Sequence, residues 1–573
     1  MATSKRGTRS LLVLAAAAAT ALVGIVSAPT PAQSVVVGDC ATPFPVADLV
    51  ADQAVHGLTV SKGTTPDAFT GTVLGVLKDG IAPGLDMIMV RLSNPEIDRV
   101  GGIWAGMSGS PVYAENGQLI GAVAYGLAFG PSPVAGVTPF EDMNDYLPPA
   151  PVTLKISPGA AAKIAAGSEV TKAQASQGFE QLPVPTGVAG IRAERLSKTR
   201  NRPYLDRAAG TAGTTSAAAV GVDTVVAGGN LALTMSYGDI TIGGVGTATS
   251  VCDDTVVGFG HPATFRGKIT AGLSPADAVY IQEDPTLYPF KVANIAEPVG
   301  TITDDHLTGI TGNFGAVPDT FDVTSAVTYG TRSRTGSSHV AMQDYNPDVT
   351  FYEFVANHDR VMDGYGPGSE ETSWTINGKK PNGTPFSLQV SDRYASDYDI
   401  TFSAVWNIPD MVYVLGRMKG VTLDDVSMTS DISDDNSTFK VTAVEYKSGT
   451  KWVKLTGSKS AVLAKAGKTL KLRATLADST GATHTVPVSV AIPAKAKGTD
   501  GTISVMGGTR VYDDFWGAKT VAAMQKVVAG HVRNDEVVAM IDTYGKNRVS
   551  TQETSAPQSH VVEGRKRFSI VVY

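Results

Sequence analysis

Cysteine is almost absent from this 573-residue chain, in which Cys40 and Cys252 are the only two. Two cysteines cannot make a thiolate metal cluster, and the eight histidines are scattered without zinc spacing. The reading therefore calls for no metal and no cofactor. Charge is also scarce, at 18% of residues, and the net charge of −7 with an isoelectric point near 5.7 gives no electrostatic case for nucleic acid. Long helical periodicities are few, and beyond the N-terminal leader no apolar run reaches the length of a membrane span. What the chain has instead is glycine, at 61 positions, together with short apolar runs separated by turn residues. That balance predicts an all-β extracellular protein of about two to four domains.

The leader has the grammar of a secretory signal peptide over residues 1–32. Lys5, Arg6 and Arg9 form a positive start, Leu11-Leu12-Val13-Leu14 and an alanine-rich run follow, and cleavage fits after Ala32 or Ala28. Export places Cys40 and Cys252 in an oxidising compartment, where an even pair predicts one disulfide. Two buried thiols are the alternative. A disulfide would tie the start of the mature chain to the segment just before His261.

Gly106-Met107-Ser108-Gly109-Ser110-Pro111 sets a serine close between glycines and runs into Val112-Tyr113. Glycines beside a nucleophile let the backbone turn sharply, exposing the hydroxyl and aiming N–H groups at a developing oxyanion. Val112-Tyr113 and Gly121-Ala122-Val123-Ala124-Tyr125 then read as a hairpin around Glu115-Asn116-Gly117. A second segment, Val256-Val257-Gly258-Phe259-Gly260-His261-Pro262, ends an apolar run on a histidine, the side chain suited to act as general base near neutrality. Taken singly, each has a plain alternative, a Gly/Ser turn and a histidine capping a strand end.

Together the two segments sit in a longer series. It starts at Gly57-Leu58-Thr59-Val60 and runs through Gly84-Leu85-Asp86 and Ala135-Gly136-Val137-Thr138-Pro139 to Gly246-Thr247-Ala248-Thr249. Over residues 45 to 325 this series resembles the SpoIVB peptidase family of serine endopeptidases. The resemblance implies a chymotrypsin-like double β-barrel, with Ser108 matching the nucleophile and His261 the base. Backbone N–H groups of Gly106 and Ser108 would form the oxyanion hole. One departure stands out, for here Ser108 precedes His261, whereas in the sporulation protease the histidine comes first. The geometry of a triad is independent of chain order.

Rivals exist for each role. Ser110 is the competing hydroxyl and His56 the competing base. For the acid that orients the imidazole, Asp86 at a strand start near the serine is the first choice, ahead of Asp253, Asp254 and Asp239, and a dyad without an acid is also chemically sound. The peptidase region is taken as 33–340, with an Ala/Gly/Ser/Thr-rich connection at about 155–220 between its halves.

Past residue 340 the resemblance fades. Short runs such as 372–378, 386–390 and 400–405 read as strands of a β-sandwich-like region over 341–500. Residues 501–573 form a C-terminal segment, with 521–528 at helical spacing and Asp513 and Asp514 as charges at that helix's start. The lysine-rich stretch 447–471 is read as a solvated strand face, with contact to anionic cell-envelope polymer as the sharper alternative. Two functions follow. One is a secreted serine endopeptidase acting on exported proteins or on itself, and the other a binding protein on a peptidase scaffold without turnover. The distance between Ser108 and His261 separates them.

Overall fold

The computed structural model describes residues 38–128, 130–143, 158–167, 171–197, 202–205, 214–216, 220–457, 461–545 and 548–573. The signal-peptide reading lies outside these, as do parts of the connection at 155–220. Residues Val36–Tyr573 cluster as one unit.

The serine-bearing half closes on itself. Strands β1 (Ala54–Thr59), β2 (Asp67–Ala82), β3 (Leu85–Ser93), β4 (Pro111–Ala114), β5 (Leu119–Leu127) and β6 (Val134–Pro139) pair in the order β1-β2-β3-β6-β5-β4, and β4 returns to β1. Closure pairs the strands around the ring, which is how an all-β domain avoids unpaired backbone. It leaves the end of β5 at Tyr125–Leu127, which runs past β4, for a strand from outside the ring. Its interior is filled by Phe69, Val73, Ile88, Val90, Val123 and Val137. The expected hairpin is present, with β4 and β5 joined at a turn where Gly117 takes φ +82°.

The histidine-bearing half repeats the plan. Strands β7 (Asn230–Gly238), β8 (Thr241–Cys252), β9 (Thr255–Gly258), β10 (Gly267–Ser274), β11 (Gly300–His306) and β12 (Gly309–Phe314) pair in the order β7-β10-β11-β12-β9-β8, and β8 closes on β7. Asp253 and Asp254 lie in the turn between β8 and β9, as read from the sequence. Two closed six-stranded barrels thus give the expected all-β double-barrel fold.

The first departure comes just after. Five more strands, β13 (Phe321–Tyr329), β14 (Arg332–Val340), β15 (Gly368–Lys379), β16 (Pro385–Ser396) and β17 (Thr422–Ser433), carry the sheet on from β7 in the order β14-β13-β17-β15-β16. Against it pack two helices, α1 (Asn346–Met362) and α2 (Asn407–Gly416), in the same apolar core that fills the second barrel. Residues 341–433 are therefore a helix-covered extension of that barrel rather than a separate sandwich. Residues 400–405, read as a strand, include a short helix, Ile400–Ala404. Its cause is local, since the Asp399 carboxylate caps it by accepting from Phe402 N, and a cap of this kind overrides a weak β preference.

A true sandwich lies further on. Thr438–Ser448, Lys451–Lys454, Thr469–Ala477, Thr483–Ala491 and Val561–Glu563 make one sheet, and Ala461–Ala464, Thr499–Gly507, Val537–Thr543, Ser550–Thr554 and Arg565–Val572 make the other. Alternate residues of Thr469–Ala477 are buried, and Leu472 and Val488 meet Ile503, Ile541 and Ile570 in one core. The segment 501–573 thus supplies most of the second sheet and, with Val561–Glu563, one strand of the first. The expected helix forms as α3 (Val521–Ala529), capped by Thr520, but its Val521 and Met524 join the core under the extension. Asp513 is not a helix charge either, for it pairs with His531 at 2.6 Å. Lys447, Lys451, Lys454, Lys465, Lys468 and Lys471 are all solvent-exposed.

Candidate active site

The site forms where the barrels exchange loops. In the first barrel, the turn between α-helical Pro95–Val100 and β4 carries Ser108, and it rests on strand β8 of the second barrel. Thr247 N donates to Ser108 O at 2.8 Å, Thr247 Oγ1 to Gly106 O at 3.0 Å, and Thr249 Oγ1 to Gly109 O at 2.7 Å. Gly109 takes φ +96°, and a Cβ there would lie 1.9 Å from Thr247 O, so no larger residue fits. This explains the run Gly246-Thr247-Ala248-Thr249, whose threonines tie the serine loop down.

The second barrel returns the contact. Phe259 and Gly260 take φ +67° and +70°, turning the chain so that His261 faces β5. Gly260 O accepts from Thr138 Oγ1 of β6 at 2.6 Å, and a Cβ on Gly260 would come within 3.0 Å of Ala122 Cβ. Each barrel thus holds the other's loop.

Between the loops, Ser108 Oγ and His261 Nε2 stand 2.7 Å apart. His261 Nδ1 lies 2.8 Å from the carbonyl of Pro262. A carbonyl can only accept, so Nδ1 carries the proton and Nε2 presents its lone pair to the serine hydroxyl. This is the tautomer a general base needs, fixed here by backbone where serine proteases with a full triad use a carboxylate. Burial, only partly offset by the Pro262 carbonyl and the charge of Asp305, lowers the imidazole to about 4. The histidine is neutral at pH 7 and free to take a proton.

Two backbone donors complete the constellation. Met107 N, Gly109 N and Ser110 N are spent on the carbonyls of Trp104, Val123 and Met107. Among the described residues, Gly106 N and Ser108 N have no acceptor, although both residues are buried. Buried N–H groups without partners are rare, and here they flank the serine where an oxyanion would develop. Over Gly106 lies the stem of Lys291, whose ammonium donates to Asn230 Oδ1 at 2.8 Å and is lowered by burial to about 7. Nothing in the sequence singled this lysine out.

The acid expected from sequence is elsewhere. Asp86 accepts from Lys78 Nζ at 2.6 Å and from Asp79 N at 3.0 Å, with no bond to the imidazole, so it is a hairpin carboxylate beside a surface lysine. Asp239 pairs with Arg334 at 2.7 Å. His56 is exposed and stacks on Tyr113, and Ser110 Oγ donates to Thr59 Oγ1 at 2.9 Å, away from any base. The carboxylate that serves the histidine is Asp305, on β11. It is 1% exposed and accepts from Ala263 N, Thr264 N and Thr264 Oγ1 at 2.7, 2.6 and 2.6 Å, fixing the chain that follows His261. Asp305 is thus a positioning residue. Its run Asp304-Asp305-His306 is a signal that reading by sequence proximity passed over.

Replacing Asp305 by Asn keeps the shape but turns an NH2 group toward a cluster of donors. The expected result is a loss of roughly 1–3 kcal/mol in chemical denaturation. A lower pH midpoint for acylation of Ser108 would accompany it, because one group that raises the imidazole is gone.

The disulfide predicted from sequence is present, joining Cys40 to Cys252 at the end of β8. Among the described residues, no group of three or more His, Cys, Asp or Glu could hold a metal ion, and no helix is long and apolar enough to cross a membrane. Comparison with known proteins finds no matching family model, no matching curated protein and no matching solved structure.

Proposed function

We propose that this chain is a serine endopeptidase of the exported compartment, in which His261 takes the proton of Ser108 and Ser108 attacks a peptide carbonyl. The observation that carries the reading is the 2.7 Å contact between Ser108 Oγ and His261 Nε2 with the tautomer fixed from behind. The unpaired N–H groups of Gly106 and Ser108 support it, since they are placed to receive the oxyanion of the tetrahedral intermediate. Collapse of that intermediate would expel the amine, which takes the proton from His261, and water would then release the acyl group by the same route in reverse. The motif resemblance to the SpoIVB peptidases points the same way, and the leader at residues 1–32 is the basis for export.

One observation favours the alternative of a binding protein without turnover. Ser108 is 1% exposed and His261 0%, so a substrate cannot reach the serine in this conformation. The test is labelling with a fluorophosphonate probe, comparing the chain with its Ser108→Ala, His261→Ala and Ser110→Ala variants. Labelling lost in the first two and kept in the third is the expected result. A folded chain that never labels, even after its site is opened, would overturn the peptidase reading.

A further inference from the structure

The burial of the catalytic pair asks which piece of the chain leaves when a substrate arrives. A scissile carbonyl must come within about 3–3.5 Å of the nucleophile. Neither barrel can open a path cheaply, because each is closed and parting any two neighbouring strands would break a ring of backbone hydrogen bonds.

Two strands beside the site belong to neither ring: Phe290–Ile295, which carries Lys291 and is held in a sheet of its own, and one that lies along the serine-bearing barrel. The three-residue strand Phe179–Gln181, drawn from the connection between the barrels, lies antiparallel on β5 with Tyr125 opposite Gln181, Gly126 opposite Glu180 and Leu127 opposite Phe179. Leu182 N extends the pairing to Ala124 O at 3.0 Å. The segment also touches the machinery, since Gln181 Nε2 donates at 2.9 Å to Pro262 O, the carbonyl that orients His261. Phe179 anchors it, fully buried among Tyr125, Leu127, Ile164 and Ala175.

An extended peptide adds to a sheet through an unpaired edge, with main-chain hydrogen bonds giving affinity and a pocket for an alternate side chain giving selectivity. Phe179–Gln181 shows all three features within the chain itself: strand pairing, a buried apolar anchor, and a contact to the catalytic loop. We infer that the edge of β5 at Tyr125–Leu127 is the docking edge for an extended peptide bearing a large apolar side chain, and that the chain's own Phe179–Gln181 fills it in this closed state. The inference deepens the peptidase reading and rests on it for the identity of the peptide as substrate. The covering itself is independent of catalysis.

The experiment reads access and catalysis separately. In a Ser108→Cys background, alkylation by iodoacetamide reports whether the nucleophile position is reachable, whatever its activation. Gly126 and Glu180 form a hydrogen-bonded pair by alternation from Leu182 N, so Glu180→Pro removes a donor facing β5. Alkylation is expected to speed up by tenfold or more, on the order of one lost strand contact with its cooperative neighbours. A synthetic peptide with the sequence of residues 177–183, added in trans, is expected to slow it again. Should Glu180→Pro perturb folding, the Leu127→Cys, Phe179→Cys pair supplies the opposite control. These residues form a non-hydrogen-bonded pair, about 4.5 Å between Cα atoms, and oxidation would lock the segment down and slow alkylation.

An alkylation rate unchanged by both the proline and the lock, or a peptide that gives no protection, overturns the inference. Faster alkylation with peptide protection upholds it. In that case the same Glu180→Pro change in the Ser108 chain, treated with fluorophosphonate, decides the peptidase reading on its own.

Discussion

Replacing His261 by alanine is expected to slow acylation of Ser108 by about four to six orders of magnitude, as loss of the base does when nucleophile and base act as a unit. The wild-type rate should stay level from neutral pH down to about 5 and then fall roughly tenfold per pH unit below about 4, where the imidazole protonates. The same group makes stability depend on pH. In the unfolded chain this histidine titrates near 6.5, and burial lowers it to about 4 in the folded state. Between those values the unfolded chain binds a proton that the folded chain does not, so stability falls as pH drops from 6.5 toward 4. The loss amounts to about 3 kcal/mol in all. His261→Ala should abolish this component while leaving the contribution of other groups. Denaturant titrations at pH 7 and pH 4.5, run on both chains, check it. A wild-type acylation midpoint near 6.5 would mean that the imidazole is solvated when Ser108 reacts, and so that the site opens before the proton moves.

Much of this site was legible because its signals are local. The glycines around Ser108 and before His261 are backbone requirements written directly into the sequence, and both proved necessary, at φ +96° for Gly109 and +70° for Gly260. Alternation and turn residues likewise announced the hairpin of β4 and β5. What escaped was non-local. Asp305 reaches the chain after His261 only because β11 lies beside β10 in the closed ring, and a reading by sequence proximity preferred Asp86. Lys291 meets Gly106 through a strand that joins neither barrel. The helices over the extension were missed for a different reason. α1 has aromatic and β-branched residues and no side-chain cap, and its helical state is set by burial against β13 and β14 rather than by propensity.

The order of the serine and histidine segments also gains a physical account. Each barrel is complete in itself, and each contributes one loop to a shared seam, so the site depends on how two closed rings face one another and not on which is made first. A chain in which Ser108 comes before His261 can therefore build the pair found in chains of the opposite order. The connection between the halves becomes free to acquire another role, and the lie of Phe179–Gln181 along β5 shows where part of that connection goes.

The seam needs a fastener, and removing it should have the second largest effect. Cys40 and Cys252 close a loop across a sequence separation of 212 residues, linking the segment before β1 to the last residue of β8, the strand whose Thr247 and Thr249 hold the serine loop. Asp39, next to Cys40, adds to the same join by accepting from Ser250 Oγ and Val251 N, both at 2.9 Å. Chain-entropy arguments put a cross-link over so long a loop at roughly 5 kcal/mol, which is a large share of the stability of a typical domain. Cys40→Ser with Cys252→Ser should lower the denaturation midpoint accordingly. If the bond also keeps β8 in register under the serine loop, fluorophosphonate labelling should fall at temperatures well below unfolding. A double variant that unfolds earlier yet labels normally until it does so would make the disulfide a staple of the fold alone. One that stops labelling while still folded would place it in the positioning of Ser108, because the threonines it steadies are the groups that hold Gly106 O and Gly109 O.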